Sequence, residues 1–269
     1  EPAVQLAAAG KNLIIEKPLE VTLERCDKIL EAVNKSGVLL SCIFQTRFHP
    51  SFQRLKKAIE ENRFGTISLA SAYVKWFRDQ AYYDSGKWRG TWKLDGGGAV
   101  MNQSIHTVDL LLWLMGPVKE VKAFAGTLSH ERIEVEDTLT GILHFESGAL
   151  GGIEATTGAW PGTFKKIEIS GEKGSAVLEE DRIVSWQLRD ESDKLTYEKN
   201  KGAILDSEEP FLGGGVISPM DIGFFAHQKQ LEDCVSALDQ NRAPSVTGED
   251  GRRAVELTLR LYENAGLIK

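Results

Sequence analysis

The sequence predicts a short parallel α/β unit followed by a larger α+β domain whose sheet is open and mostly antiparallel. Over the first 44 residues, helical and strand-like segments alternate, which is typical of parallel βαβ units. From about residue 66 onward, short apolar runs are separated by Gly, Asp and Ser, which indicates strands joined by tight turns. We therefore predict two domains, residues 1–46 and residues 47–269.

Composition limits the classes of function. The 269 residues are 42% hydrophobic and 26% charged, with a net charge of −7, which fits a soluble globular protein. No basic cluster favours nucleic acid, no run approaches the ~20 apolar residues that span a bilayer, and the N-terminus does not resemble a signal peptide. Cys26, Cys42 and Cys234 are widely spaced, which favours reduced, buried thiols. We expect a cytoplasmic protein without a nucleic-acid or membrane partner.

The first domain begins with the end of a helix at residues 3–9, for which Gly10 is a suitable C-cap. The apolar residues Leu13–Ile15 then predict a strand buried on both faces. Thr22 is a candidate N-cap for a second helix, which Gly37 ends. The apolar positions of that helix follow helical spacing: Leu23, Cys26, Ile29, Leu30 and Val33.

A second apolar strand, "VLLSCIF", completes this unit. A dinucleotide-binding sheet normally opens with G-x-G-x-x-G after its first strand, and no such fingerprint precedes residue 12. We therefore interpret residues 1–46 as the C-terminal part of a Rossmann domain.

The second domain starts with a helix at about residues 50–62. Seven predicted antiparallel strands follow: "TISLASAYVKWF", "EVKAFAGTL", "DTLTGILHF", "GALGGIEATT", "FKKIEISG", "GSAVLEE" and "IVSWQLR". "ESGA" and "GEKG" are candidate hairpin turns. The charged stretch at 190–202 predicts a solvated hairpin, and "GGGV" at 213–216 predicts a flexible loop. Helices are expected near 221–240 and from about 248, where Thr247 is a candidate N-cap.

The segment "NLIIEKPLE", residues 12–20, places Glu16, Lys17 and Pro18 directly after the first strand. Pro18 cannot donate to a β-ladder, so the strand should end near Lys17. In open parallel α/β sheets, ligands bind outside the carboxyl ends of the strands. Lys17 is therefore a candidate ligand-binding residue. The alternative is a solvated lysine in a turn.

The segment "LDGGGAVMNQSIHTVDLLLWLMG" carries the most informative polar pattern. Gly96–Gly98 precede a helix that Gly116 ends, and they predict close approach of substrate or cofactor at the helix N-terminus. Spacings of four, three and four place four residues on one helix face: Asn102, His106, Asp109 and Trp113. Asp109 is placed to raise the pKa of His106 or to fix its tautomer, and the alternative for Asp109 is a structural N-capping or packing role. The alternative for His106 is a satisfied core histidine.

Taken together, these motifs resemble the Gfo/Idh/MocA oxidoreductases, the group of glucose-fructose oxidoreductase and inositol dehydrogenase. The resemblance runs from "AAAGKNLIIEKPL" through "FQTRFHPSFQRLKKAI" and "KWRGTWKLDGGGAVMNQSIHTVDLLLWLMG" to "PSVTGEDGRRAVELTLRLYENA". It implies a Rossmann domain followed by a domain whose open sheet carries substrate on one side. The other side of that sheet is expected to form a dimer or tetramer.

The resemblance also implies roles for individual residues. The family's active-site lysine and histidine correspond to Lys17 and His106, with NAD or NADP as cofactor and a sugar, cyclitol or related polyol as substrate. The candidate substrate-binding residues are Asn102, Asp109 and Arg47. The candidate cofactor-binding residues are Glu16, Lys17, Pro18, Trp88 and Arg89. No metal site is expected.

One departure from the family pattern bears on the mechanism. The family's commonest sequence has an aspartate four residues before the histidine, and this chain has Asn102 there. Asn102 cannot titrate, although its amide can donate and accept hydrogen bonds. For Trp88, Arg89 and Arg47, the alternatives are an indole packed on the sheet and arginines in surface ion pairs.

Two other functions use similar parts. One is glycoside hydrolysis through transient NAD-linked oxidation, which releases sugar without net change of cofactor. The other is a non-catalytic sugar or nucleotide sensor. Because the glycine-rich fingerprint that anchors the pyrophosphate is missing, we expect residues 1–269 alone to bind dinucleotide weakly and to be inactive.

Overall fold

The computed structural model describes residues 1–189 and 223–269. The hairpin predicted at 190–202 and the loop predicted at 213–216 lie outside the described residues. Among the helices of the two described ranges, none combines the length and the apolar character needed to cross a membrane.

The N-terminal part is a small parallel α/β unit, as the sequence predicts. Its elements are α1 (Pro2–Ala8), β1 (Leu13–Ile15), α2 (Leu23–Ser36) and β2 (Leu40–Cys42), and β1 pairs with β2 in parallel. The Thr22 side chain accepts a hydrogen bond from the Arg25 amide at 3.3 Å, and Gly37 ends α2 with a left-handed φ of 65°.

The predicted burial of β1 on both faces is wrong. Leu13 is buried, but Ile14 is 46% exposed. Successive side chains of a strand point to opposite faces, and in the described residues β1 belongs to a sheet of only two strands. Only the face that carries Leu13 is therefore covered.

The C-terminal part contains a seven-stranded sheet. Its strands are β3 (Ile67–Lys75), β4 (Val118–Gly126), β5 (Thr138–Phe145), β6 (Leu150–Thr156), β7 (Lys166–Gly171), β8 (Gly174–Glu179) and β9 (Arg182–Leu188). The strand order is β4-β5-β6-β3-β7-β8-β9. The predicted large, mostly antiparallel sheet is confirmed, including the hairpins that join β5 to β6 and β7 to β8.

One strand pair corrects the sequence prediction. β3 and β6 run parallel, with Leu69 opposite Leu150, whereas all seven strands were predicted to be antiparallel. A long helical crossover, rather than a hairpin, separates β3 from β4 in sequence. Because of that crossover, β3 enters the sheet between β6 and β7.

The remaining helices position the candidate site. They are α3 (Pro50–Glu60), α4 (Gln80–Asp84), α5 (Ile105–Met115), α6 (Phe225–Asp239) and α7 (Gly248–Asn264), with a 3-10 turn at Gln45–Phe48 and a π turn at Ala99–Ser104. α5 packs against β3, and α7 packs against α5 and β4. The predicted cap of α7 is confirmed, because Thr247 and Asp250 form a reciprocal capping box.

A buried glutamine on α6 ties this helix to the end of β2. Gln230 donates a hydrogen bond to the Cys42 carbonyl at 2.7 Å and accepts one from the Phe44 amide at 3.0 Å. These bonds continue the β2 edge beyond its last residue, and they hold Phe44 against α5.

Candidate active site

The glycine run before α5 makes room for the chain's own residues. A Cβ atom on Gly98 would lie 1.7 Å from the Glu136 carbonyl oxygen, and one on Gly97 would lie 2.4 Å from the Tyr262 hydroxyl. Glycine is therefore required by packing inside the protein. The prediction that substrate or cofactor approaches the backbone at these glycines stays a prediction.

Glu136 and Tyr262 fix the turn that follows the glycines. The buried Glu136 carboxylate accepts hydrogen bonds from the Gly98 amide at 2.9 Å, the Val100 amide at 2.9 Å and the Tyr262 hydroxyl at 2.7 Å. Burial raises the pKa of Glu136 to about 7, against these hydrogen bonds, which favour the carboxylate. Sequence reasoning missed both residues; the only signal was an acidic pair directly before β5.

Lys17 lies at the carboxyl end of β1 and reaches the π turn. Its Nζ donates a hydrogen bond to the Asn102 carbonyl oxygen at 2.8 Å, and the Lys17–Pro18 peptide is cis. Burial lowers the pKa of Lys17, whereas Glu16, Asp95 and the Cys42 thiol act in the opposite direction. The lysine is therefore held in a site where its ammonium form is less favoured than in water.

The Asn102 side chain is engaged with a second buried residue. Its Nδ2 donates to Oδ1 of Asp95, and its Oδ1 accepts a hydrogen bond from Gln103 at 2.9 Å. Asp95 Oδ2 accepts from the Gly90 amide at 2.9 Å. Burial raises the pKa of Asp95, against its hydrogen bonds and the charges of Lys17 and Arg89. Sequence reasoning missed Asp95, because nothing in its spacing relates it to Lys17.

His106 lies on the first turn of α5. Its ring makes an edge contact with Phe44, with 5.7 Å between centroids, and its Nδ1 is buried without a partner among the described residues. Burial lowers its pKa well below 6.5, and the charges of Lys17, Lys165 and His227 act in the same direction. The imidazole is therefore neutral near pH 7 and is able to accept a proton.

Asp109 does not orient His106, contrary to the prediction. Its two oxygens accept hydrogen bonds from Arg47 at 2.7 Å and 2.5 Å, and Arg47 also contacts Asp250 at 3.1 Å. Arg47 and Asp109 are 4% and 1% exposed. Both residues predicted to bind substrate thus belong to a buried ion-pair cluster, in which burial raises the pKa of Asp109 to about 6 although Arg47 opposes this shift.

The four residues predicted to lie on one helix face, Asn102 to Trp113, do not share one environment. The Asn102 end contacts Lys17, whereas Asp109 and Trp113 contact Arg47, whose guanidinium carbon lies 5.5 Å from the Trp113 ring centroid. The reason is that Asn102 lies in a π turn, which has more residues per turn than an α-helix. The spacing rule for an α-helix therefore does not hold across residues 99–104.

Replacing Asp109 by asparagine should lower the free energy of unfolding by about 1–3 kcal/mol, because one hydrogen-bonded charge is lost while Asp250 still faces Arg47. Denaturant unfolding of the variant and parent measures this difference. Arg253→Gln is the control, since the Arg253 side chain is 55% exposed and should change stability much less. Equal stability of Asp109→Asn and parent would contradict a structural role for the cluster.

The residues predicted to contact cofactor lie in different surroundings. Glu16 is exposed and Pro18 is partly buried beside Lys17. Trp88 is 42% exposed, and the Arg89 guanidinium carbon lies 4.6 Å from the ring centroids of both Trp88 and Tyr82. Arg89 is also near enough to Asp95 for its charge to act on that carboxylate.

Within residues 1–189 and 223–269, no group of three or more His, Cys, Asp or Glu side chains is arranged to hold a metal ion. For a dinucleotide, these residues offer the carboxyl end of β1 and the partly exposed Trp88, but no G-x-G-x-x-G occurs in residues 1–269. Residues 1–269 therefore provide no glycine-rich fingerprint for a pyrophosphate, and a contact of Glu16, Lys17, Pro18, Trp88 and Arg89 with a cofactor stays a prediction.

Comparison with known proteins gives consistent matches along the chain. Residues 1–44 match the model of an oxidoreductase family with an NAD-binding Rossmann fold, and residues 52–177 match the GFO/IDH/MocA C-terminal domain. The myo-inositol 2-dehydrogenase of Thermotoga maritima is 30% identical over 96% of this chain and 71% of its own length. The levoglucosan dehydrogenase of Pseudarthrobacter phenanthrenivorans is 27% identical over 98% of this chain and 74% of its own length.

The chain is also similar to a solved structure, that of the WlbA dehydrogenase from Bordetella pertussis in complex with NADH and UDP-GlcNAcA. The two share 33% sequence identity with a TM-score of 0.81, over 98% of this chain and 72% of that chain.

Proposed function

Because the chain belongs to the Gfo/Idh/MocA family of NAD(P)-dependent oxidoreductases, we propose that it acts on a hydroxyl group of a sugar, cyclitol or related polyol, or on the corresponding ketone. Lys17 and His106 are its catalytic residues in this proposal. The main support is the contact of Lys17, from the end of β1, with the π turn that leads into the helix carrying His106.

The two residues have complementary tasks. Bound NAD(P) supplies the hydride acceptor or donor next to the reacting carbon. Lys17 stabilises the negative charge that develops on the substrate oxygen. Neutral His106 accepts the hydroxyl proton, or returns it in the reverse direction. Since Nδ1 of His106 is buried, Nε2 is the ring nitrogen that we expect to carry the transferred proton.

Glu16, Lys17 and Pro18 would contact the nicotinamide end of the cofactor, with Trp88 and Arg89 approaching from the other domain. The glycine-rich turn and helix N-terminus that hold a pyrophosphate are absent from residues 1–269. We therefore propose that these residues alone bind NAD or NADP only weakly.

The substrate can be sought among three chemical types that the relatives' names suggest: a cyclitol, an anhydrosugar and a nucleotide-linked sugar acid. The test is an assay of the whole protein with NAD+ and NADP+ against myo-inositol, levoglucosan and UDP-GlcNAcA, followed by nicotinamide absorbance. Formation of NADH or NADPH with one of them supports the proposal. Release of sugar without net reduction favours the hydrolase, and tight cofactor binding without turnover favours the sensor.

We further propose that the outward face of the seven-stranded sheet forms a contact between copies of the chain. This face is the surface that carries Leu69, Phe124, Ile142 and Leu150, which are 48%, 87%, 63% and 57% exposed. The registers of the β3–β6, β4–β5 and β5–β6 pairs put these four side chains on one side of the sheet. Exposed apolar side chains grouped on one face are typical of a protein–protein contact.

A double variant, Phe124→Glu with Ile142→Glu, should reduce a dimer or tetramer to monomer, because two carboxylates would have to be buried in the contact. Light scattering coupled to gel filtration measures the mass. Val235→Glu, at a 58% exposed apolar position on α6, is the control and should keep the parent mass. An unchanged mass of the double variant would place the contact elsewhere.

A further inference from the structure

Asn102 connects two oppositely charged residues that sequence spacing does not relate. Its backbone carbonyl accepts the hydrogen bond of Lys17 at 2.8 Å, and its side-chain amide donates to the carboxylate of Asp95. Asp95 is 6% exposed, and its other oxygen is held by the Gly90 amide at 2.9 Å. The carboxylate is thus fixed at both oxygens and faces the residue that Lys17 contacts.

Among residues 1–189 and 223–269, the charge of Asp95 has no direct ion-pair partner. Across the described ranges, no lysine or arginine nitrogen lies within 4.0 Å of its carboxylate. Its charge acts on Lys17, and Lys17 acts on it in turn. A buried carboxylate without an ion pair is costly unless its hydrogen bonds and a nearby cation offset the loss of hydration. A role beyond its hydrogen bond in the Gly90 turn would therefore explain why the Asp95 carboxylate is buried.

We propose that Asp95 is a positioning residue that acts through Asn102 to hold Lys17 and to supply the carboxylate of this site. The inference rests on the proposed function. It also accounts for Asn102 at the position where the family resemblance leads one to expect aspartate: Asp95, which binds the Asn102 side chain, supplies the carboxylate instead.

The hydrogen-bond pattern permits the carboxylate at 95 and the amide at 102 to be exchanged by mutation. In the double variant Asp95→Asn with Asn102→Asp, the new amide at 95 would accept from Gly90 and donate to the new carboxylate at 102. In Asp95→Asn alone, the Gly90 amide and the Asn102 side-chain amide are both donors, and the new side chain has only one acceptor oxygen for them. Asn102→Asp alone places two carboxylates side by side, and like charges in such a pair repel. Both single variants should therefore be worse than the double variant.

The first measurement is the pH profile of kcat in the whole protein for the parent and the three variants. Asp95→Asn should lower kcat by about tenfold to a hundredfold through misplacement of Lys17, and the double variant should recover most of this loss. Asp233→Asn is the matched control, because Asp233 also binds a backbone amide, that of Ser245 at 2.7 Å, and is not among the charges that act on Lys17. It should keep the parent profile.

The second measurement does not need turnover. Competitive acetylation of Lys17 in the 269-residue chain, followed by mass spectrometry across a pH series, reports the fraction of unprotonated amine. Asp95→Asn should move the labelling midpoint to lower pH, because one of the negative charges that favour the ammonium is removed; Glu16 and the Cys42 thiol remain, and His106 is neutral. The double variant should return the midpoint towards that of the parent.

The two measurements separate the inference from the proposed function. If no substrate is turned over but the labelling midpoint shifts and is restored, the link between Asp95 and Lys17 holds and the proposed function fails. If the midpoint of Asp95→Asn equals that of the parent and of Asp233→Asn, Asp95 has only a structural role and the inference is overturned. Losses in kcat that add in the double variant, without recovery, would overturn it as well.

Discussion

Replacing Lys17 by methionine is expected to lower turnover of the whole protein by about a hundredfold or more, because removal of one preorganised donor at a developing negative charge has effects of this size. Methionine keeps most of the apolar length of the side chain. The hydrogen bond to the Asn102 carbonyl is lost, but the protein no longer has to bury an ammonium group whose pKa burial already lowers. Folding should therefore be little affected.

The measurement is kcat on the best substrate of the panel, with thermal unfolding of each variant as the check on folding. Lys11→Met is the matched control, since Lys11 is an exposed lysine in the same α/β unit. Its kcat should equal that of the parent. Retention of full activity by Lys17→Met would show that the chemistry takes place elsewhere.

Replacing His106 by alanine should also lower turnover by about a hundredfold or more, since the proton of the substrate hydroxyl loses its acceptor. His106→Asn separates two roles of the ring. Asparagine can still form a hydrogen bond but cannot accept the proton near neutral pH. Equal losses in the two variants support proton transfer, whereas near-parent activity of His106→Asn would assign the ring to substrate binding alone.

The buried imidazole also makes a testable contribution to stability. The pKa of His106 in the fold lies well below its value near 6.5 in an unfolded chain, so the unfolded state binds more protons as the pH falls below about 6.5. The neutral ring thus costs stability on acidification and nothing at higher pH. His106→Ala should flatten the decrease in unfolding free energy below pH 6.5, as followed by urea unfolding at several pH values.

Part of that acid decrease should persist in the variant. Burial also lowers the pKa of His49, to about 4, and this residue contributes with the same sign. Comparison with His49→Ala separates the two histidines. If the slope below pH 6.5 is the same in the parent and in His106→Ala, the ring is already solvated and charged in the folded protein.

Local features could be predicted from the sequence because their causes lie within a few residues. Thr22 and Gly37 delimit α2, Thr247 begins α7, and turn residues between apolar runs delimit the strands of the sheet. Pro18 predicted the end of the first strand near Lys17 for an equally local reason, and the strand ends at Ile15. Together with the motifs around Lys17 and His106, this information was enough to predict the fold class and the family.

Only the tertiary structure decided which of these residues meet. Lys17 bonds to a carbonyl 85 residues away, Arg47 binds carboxylates 62 and 203 residues away, and β3 lies parallel to β6. His106 and Asp109 share helix α5, but the Asp109 carboxylate accepts its hydrogen bonds from Arg47, so the sequence pattern assigned Asp109 to the wrong partner. Asp95 also lies in the site, although its position in the sequence did not predict this. Caps, turns and strand periods depend on neighbours along the chain, whereas ion pairs and buried carboxylates depend on which surfaces pack together, and spacing along the sequence does not encode that packing.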